Sequence, residues 1–141
     1  MTTALEQINN FFHAILGKQV DKISQTYIPK EDTYVFVEGP RYSTIGHTNL
    51  AKGWQDFCDS ALKLEKIEWV EGPFTEEYGQ VAWVAGIVTL TVAVKDKINQ
   101  QKFRATFVLQ KNESGNWQIR HEHVSAPLED PYGIGDWLKK N

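Results

Sequence analysis

The sequence holds a single cysteine, Cys58, so no disulfide can form within the chain. It holds no run of lysine and arginine, and its formal net charge is only −3. The basic footprint that nucleic acid requires is missing, and no nucleic-acid partner is expected. The opening stretch MTTALEQINNFF lacks the basic segment followed by an apolar one that marks a secretory signal. The longest apolar-rich run, 81–94, is too short to cross a bilayer as a helix. Its β-branched residues suit a strand instead. Repeats, low-complexity tracts and internal linkers are absent too. These absences lead us to expect a reduced, cytoplasmic protein with no membrane partner. A chain of 141 residues is most simply one domain, 1–141, with enough length to bury a real core.

What is present falls into two halves. Thr3-Ala-Leu-Glu6 fits a capping box, and Leu5, Ile8, Phe12 and Ile15 follow at helical spacing. Gly17 interrupts that helix. Val20, Ile23 and Tyr27 continue the spacing in a second one, which Pro29 ends. Residues 33–38 and 41–45 predict two short strands about a Gly39-Pro40 turn. Residues 46–64 predict a third helix, with Leu50, Trp54, Phe57, Cys58 and Ala61 on one side. Strands are predicted at 65–71, 80–95, 101–111 and 116–125, and residues 127–141 as an irregular tail. Helices first and then a run of strands joined by short turns predicts an α+β protein with an antiparallel sheet.

Two patterns point toward function. In 81–94 both alternating sets are apolar: Val81, Trp83, Ala85 and Ile87 on one face, Ala82, Val84, Val88, Leu90 and Val92 on the other. Helices can cover one face of such a sheet. The other needs a second subunit or the folded-back tail, and we expect a homodimer. The second pattern is the stretch WQIRHEHVSAP, 117–127. Strict alternation puts Trp117, Ile119, His121, His123 and Ser125 on one face, so a core face would end in a polar row.

The chain resembles the nuclear transport factor 2-like superfamily. The resemblance is carried by Arg104-Ala-Thr106, the turn Glu113-Ser-Gly115, Trp117-Gln-Ile119 and His121-Glu-His123-Val-Ser125-Ala-Pro127. These resemble the ending of its SnoaL-like subgroup and of the calcium/calmodulin-dependent kinase II association domain. Gly46-His47 before the third helix fits as well. The resemblance implies a ketosteroid isomerase-like, cystatin-like α+β cone: three N-terminal helices on a curved antiparallel sheet that encloses a pocket. It implies that the face of Trp117 to Ser125, with Arg104 and Thr106, lines the pocket. Phe103, Ala105, Phe107 and Leu109 would then lie on the outer face, where such proteins pair. The fold hosts enzymes, binding proteins and assembly domains, so it does not choose a function.

Three chemistries compete for the polar row. His-x-His can place two imidazoles on one metal ion. His47, Glu38 and Asp32 offer no diagnostic third and fourth ligand, so no metal and no cofactor are expected. His121 or His123 could serve as a general base, as could Asp32 by its position after the second helix, with Tyr27, Tyr34 and Tyr42 as donors. Asp32 reads equally as part of the exposed Lys30-Glu31-Asp32 turn. The third chemistry is binding alone: Arg104, Thr106, His121, His123 and Ser125 at the end of an apolar cavity lined by Trp54, Phe57, Trp83, Trp117, Tyr27 and Tyr42. That suits an apolar molecule with a polar or acidic head. The plain alternative is that the histidines and Arg104 are satisfied by the backbone and by Glu122 or Glu38. The expected function is therefore small-molecule binding. An isomerase-, cyclase- or dehydratase-like enzyme and an assembly domain are the alternatives.

Overall fold

The capping box forms as its residues require. Glu6 donates its N–H to the Thr3 hydroxyl, and Thr3 donates its own to Glu6 Oε2, both at 3.1 Å. This opens α1, Ala4–Leu16, whose buried face carries Ile8, Phe11, Phe12 and Ile15. The short α2, Val20–Gln25, buries Ile23. Strands β1, Tyr34–Phe36, and β2, Thr44–Ile45, form a small antiparallel pair. Helix α3, His47–Asp59, then leads into β3, Leu62–Tyr78; β4, Val81–Val94; β5, Lys97–Lys111; and β6, Trp117–Ser125. The computed structural model describes residues 2–138.

The six strands form one open sheet in the order β2-β1-β6-β5-β4-β3. It is mixed: β1 runs parallel to β6, while the pairs β6-β5, β5-β4 and β4-β3 are antiparallel. The helices pack on one face only. Their side chains meet Val84, Val88, Ala105, Phe107, Leu109 and Ile119 from the sheet in a single apolar core. Each of these side chains except the small Ala105 stabilises the fold by about 1.5–3 kcal/mol through burial.

Gly86 lets the sheet bend. A Cβ there would collide with the Glu71 carbonyl and the Trp69 ring, because bulges in β3 press its backbone onto β4. Bulges also explain why β3 is far longer than alternation predicts. Register shifts at Leu64/Lys66, Trp69/Glu71 and Glu71/Phe74 scramble the period of two. The predicted end of the third helix, 62–64, is already strand.

One irregularity redirects the whole site. Leu109 pairs with Ile119, but Val108 pairs with His121, so Arg120 is an extra residue in β6. One extra residue moves every later side chain to the other face. Trp117 and Ile119 stay in the core, as expected. Beyond the bulge Glu122 and Val124 turn inward, opposite Phe107 and Ala105. His121, His123 and Ser125 turn outward, in register with Val108, Thr106 and Arg104.

The two faces of β5 are thereby corrected. Phe103, Ala105 and Phe107 line a cavity, and Leu109 is fully buried, so these four form the inner face. Arg104, Thr106 and Val108 form the outer one. The tail does not fold back to bury its large side chains. Leu128, Tyr132, Ile134, Trp137 and Leu138 all remain exposed.

Candidate functional site

Between α1, α3 and the concave face of the sheet lies a cavity of about 730 Å³. Its walls are apolar: Phe11 and Ile15 from α1, Trp54 and Phe57 from α3, Val88 and Leu90 from β4, Phe103 and Phe107 from β5. Its rim carries polar groups, among them Glu38, Arg41, Asn49 and Lys52. Such a size and lining suit a small, largely apolar molecule.

One ionisable side chain reaches deep into this wall. Glu122 is only 3% exposed and lines the cavity. The Tyr27 hydroxyl donates to its Oε1 at 2.5 Å, and Trp54 Nε1–H donates to the Tyr27 oxygen at 3.1 Å. Tyr27 is itself fully buried and held by backbone. Ile119 donates its N–H to the Thr26 carbonyl at 2.7 Å, and Ile28 donates to the Ile119 carbonyl at 2.9 Å. Three residues remote in sequence thus form a relay, Trp54 to Tyr27 to Glu122. Among the described residues no buried side-chain oxygen or nitrogen lacks a partner. The Glu122 carboxyl opens on the cavity.

Burial raises the Glu122 carboxyl to about 8, and the nearby Glu38 carboxyl pushes it the same way, while the Tyr27 bond opposes both. At neutral pH Glu122 is therefore chiefly a neutral carboxylic acid, able to donate as well as accept. Tyr27 is raised well above its ordinary value, first by burial and then by Glu122. It stays a neutral phenol. Glu38 has exposed surface, yet enough protein surrounds its carboxyl for burial to raise it above the usual range. Two carboxyls therefore face one apolar space, one deep and one at the rim.

Of the residues singled out from the sequence, Trp54 and Phe57 line the cavity, and Tyr27 stands directly behind Glu122. The others are placed elsewhere. His121 and His123 lie outside the cavity, on the outer face. There His121 Nδ1 is 2.6 Å from the Tyr34 carbonyl, and His123 Nε2 is 3.0 Å from Ser125 Oγ. Arg104 donates to Ser125 Oγ at 3.0 Å and to the Ala126 carbonyl at 3.2 Å, on that same face. Thr106 and Trp83 share the outer face with them.

Trp117 is buried beneath the Lys111 ammonium, away from the cavity lining. Asp32 is an exposed turn residue 3.4 Å from Arg120. Tyr42 is 97% exposed. His47, at the start of α3, has its Nε2 2.9 Å from the Ser24 carbonyl. Among the described residues no three His, Cys, Asp or Glu side chains group to hold a metal ion.

Glu122 itself was missed as a site residue. Strict alternation sets it outward, and only the bulge at Arg120 brings it in. Val124, apolar and two residues on, is the one local sign that this strand changes face.

The comparisons agree with this geometry. The SnoaL-like domain model matches residues 5–129, and the chain belongs to that family. Among solved structures it is similar to a nuclear transport factor 2-like superfamily protein from Salmonella enterica. Identity there is 21%, coverage 93% of each chain and the TM-score 0.78. It is similar to a protein from Xanthomonas campestris described as a calcium/calmodulin dependent protein kinase II association domain. That match has 21% identity, covers 86% of this chain and 84% of the other, and has a TM-score of 0.69. It is similar as well to a ketosteroid isomerase-like protein from Erwinia carotovora atroseptica, at 15% identity, 86% and 92% coverage and a TM-score of 0.70. These likenesses establish the cone fold. Among curated proteins none matches the sequence. Among the described residues no helix is long and apolar enough to cross a membrane.

Proposed function

We propose that this protein is a single-domain, cytoplasmic binding protein for a small, largely apolar molecule whose uncharged polar head meets Glu122. One observation carries the reading. A carboxyl raised to about 8 opens on an apolar cavity, its rear oxygen held by Tyr27. A neutral acid in such a place donates a strong hydrogen bond to a carbonyl or hydroxyl oxygen. An acidic head is disfavoured, because Glu122 and Glu38 both face the space and Arg104 lies on the other side of the sheet. A formal net charge of −3 and the lack of a basic run speak against nucleic acid. The uncovered outer sheet face supports a homodimer.

The test uses a naphthyl ketone and its hydrocarbon isostere, titrated against wild type and Glu122→Leu at pH 6. The ketone should bind wild type at least about tenfold tighter than the hydrocarbon, the value of one good hydrogen bond, and Glu122→Leu should erase the difference. Raising the pH above 8 should weaken ketone binding, since the ionised carboxylate no longer donates. Equal affinity for both probes in wild type would sink the reading.

A second reading is enzymatic. The ionised fraction of a carboxyl raised to about 8 is a stronger base than an ordinary carboxylate, matched to take a proton from the carbon beside a carbonyl and to return it. Wild type should then exchange the α-protons of the bound ketone with deuterium from the solvent, and Glu122→Gln should not. Exchange at the buffer rate in both would leave binding alone.

A further inference from the structure

The three members of the relay differ in what they can offer a hydrogen bond. An indole N–H only donates. A phenol donates one hydrogen and accepts at its oxygen. A neutral carboxyl donates from one oxygen and accepts best at the other. Trp54 Nε1–H points at the Tyr27 oxygen at 3.1 Å, so the phenol hydrogen cannot point back along that line. Among the described residues the one acceptor that the hydroxyl meets is Glu122 Oε1, at 2.5 Å. Tyr27 therefore donates to Oε1, and the proton of the neutral carboxyl is left to Oε2. Reversing the Tyr27–Glu122 bond strands the phenol hydrogen beside a fully buried ring. A buried donor without a partner costs more than one hydrogen bond contributes.

Packing holds this direction in place. Phe11 stands edge-on to both rings, 5.5 Å from Tyr27 and 5.9 Å from Trp54 between centroids, and Phe57 flanks Trp54 at 5.6 Å. Neither ring is free to swing away from the other. Glu122 Oε2 makes no hydrogen bond among the described residues, where no buried side-chain oxygen lacks a partner. Oε2 therefore reaches open space, and Glu122 lines the cavity. The end of the carboxyl that carries the proton is the end a ligand meets.

We propose that Trp54 and Tyr27 fix the polarity of Glu122, so that the cavity selects ligands whose head only accepts, such as a ketone, over ligands whose head only donates, such as an aromatic N–H compound. This rests on the binding reading above and narrows the uncharged polar head to an acceptor. Tyr27 is a positioning residue: it stands behind Glu122 and decides which oxygen keeps the proton. An N–H head in this site meets another donor. It gives up its bond to water and gains none, and a site built to pair one kind of group rejects its opposite on that account.

Three tricyclic probes of one outline test the inference by equilibrium dialysis at pH 6: fluorenone accepts, carbazole donates and fluorene does neither. Wild type should bind fluorenone at least about tenfold tighter than fluorene, and carbazole no tighter than fluorene. Glu122→Gln should keep this order, because its amide oxygen must take the Tyr27 hydrogen and its NH₂ then faces the cavity. The carbonyl stretch of bound fluorenone should lie lower in wild type and Glu122→Gln than in Glu122→Leu. Tyr27→Phe in the Glu122→Gln background frees the amide to turn either way, and the fluorenone-to-carbazole ratio should fall to within about threefold. Trp54→Phe opens the reversed direction to the phenol hydrogen and should lower the same ratio in the otherwise wild-type chain by at least about threefold. Loosened packing moves all three probes together, whereas a change of polarity moves the ratio. If wild type binds carbazole as tightly as fluorenone, and both tighter than fluorene, the inference falls while the binding reading stands. If either aromatic substitution leaves the ratio unmoved, the relay does not set it and the inference falls as well. Equal affinity of wild type for all three probes overturns both.

Discussion

His121, Glu122 and His123 are consecutive, yet they inhabit two different solvents. Glu122 is buried in the wall of an apolar cavity, and its carboxyl keeps its proton up to about 8. The two histidines face the open side of the same strand. There Phe36 and Tyr34 give partial shelter, and ordinary hydrogen bonds satisfy the rings. The difference teaches that the side chain's chemistry does not pick the site. A histidine pair looks more reactive than a lone glutamate on paper. Burial beside a phenol and a second carboxyl makes the glutamate the unusual group here.

The contrast is most sharply broken by pH. The folded Glu122 carboxyl lies above its unfolded value of 4.5. Its contribution is therefore fully present below about pH 4.5 and is lost as pH rises toward 8, because only the unfolded chain releases the proton early. The loss is on the order of 4 kcal/mol between those limits. Glu122→Gln keeps the shape and the Tyr27 bond but cannot ionise. Subtracting its urea-unfolding free energies from those of wild type should leave a curve that falls from pH 4.5 to 8 and then flattens. A flat difference curve would place Glu122 in water.

Somewhat smaller is the effect of an inner-face truncation. Phe107 is 1% exposed and packs edge-on against Phe11 and Phe12, so Phe107→Ala should cost about 3–4 kcal/mol. Its neighbour Thr106 is exposed on the other face, and Thr106→Ala should stay within about 0.5 kcal/mol. Equal losses from both would contradict the assignment of faces. In either case the comparison is between neighbours on one strand, so differences in expression or in the unfolded state bear on it little.

The sequence made the helical half of this fold easy to read, because its signals are local. A capping box, a 3.6-residue apolar period and Pro29 need no knowledge of the rest of the chain. The doubly apolar strand β4 was legible for the same reason, and it pointed to two faces needing cover. What could not be read is what depends on distant backbone. The relay joins Tyr27 to Glu122 across 95 positions, and the two meet only because residues 26–28 run parallel beside β6. The bulge at Arg120 leaves the local polarity pattern almost intact, since His121 and Glu122 are both polar and either could be turned outward. In β3, three register shifts hide a long strand behind a sequence with no clear period. Trp54 and Phe57 were legible as cavity residues because an apolar helix face must meet the core. Arg104, His121, His123 and Ser125 were grouped correctly with one another but set on the wrong side of the sheet.

The smallest expected effect falls on the residue that the sequence made most conspicuous. His123 is exposed, its Nε2 lies 3.0 Å from Ser125 Oγ, and its ring stands edge-on to Phe36 at 5.0 Å between centroids. Ser125 keeps a donor in Arg104 whether or not the imidazole is present, so no buried polar group is orphaned by its loss. Water replaces the missing partner at little cost. His123→Ala should therefore change unfolding free energy by no more than about 0.5 kcal/mol. It should also leave retention of the ketone probe unchanged, because the whole thickness of the sheet separates the ring from the cavity. A variant that lost the ketone while keeping its stability would return the histidine row to the pocket and move Glu122 out of it. The two outcomes exclude each other, since an extra residue at Arg120 puts one set inside and the other outside.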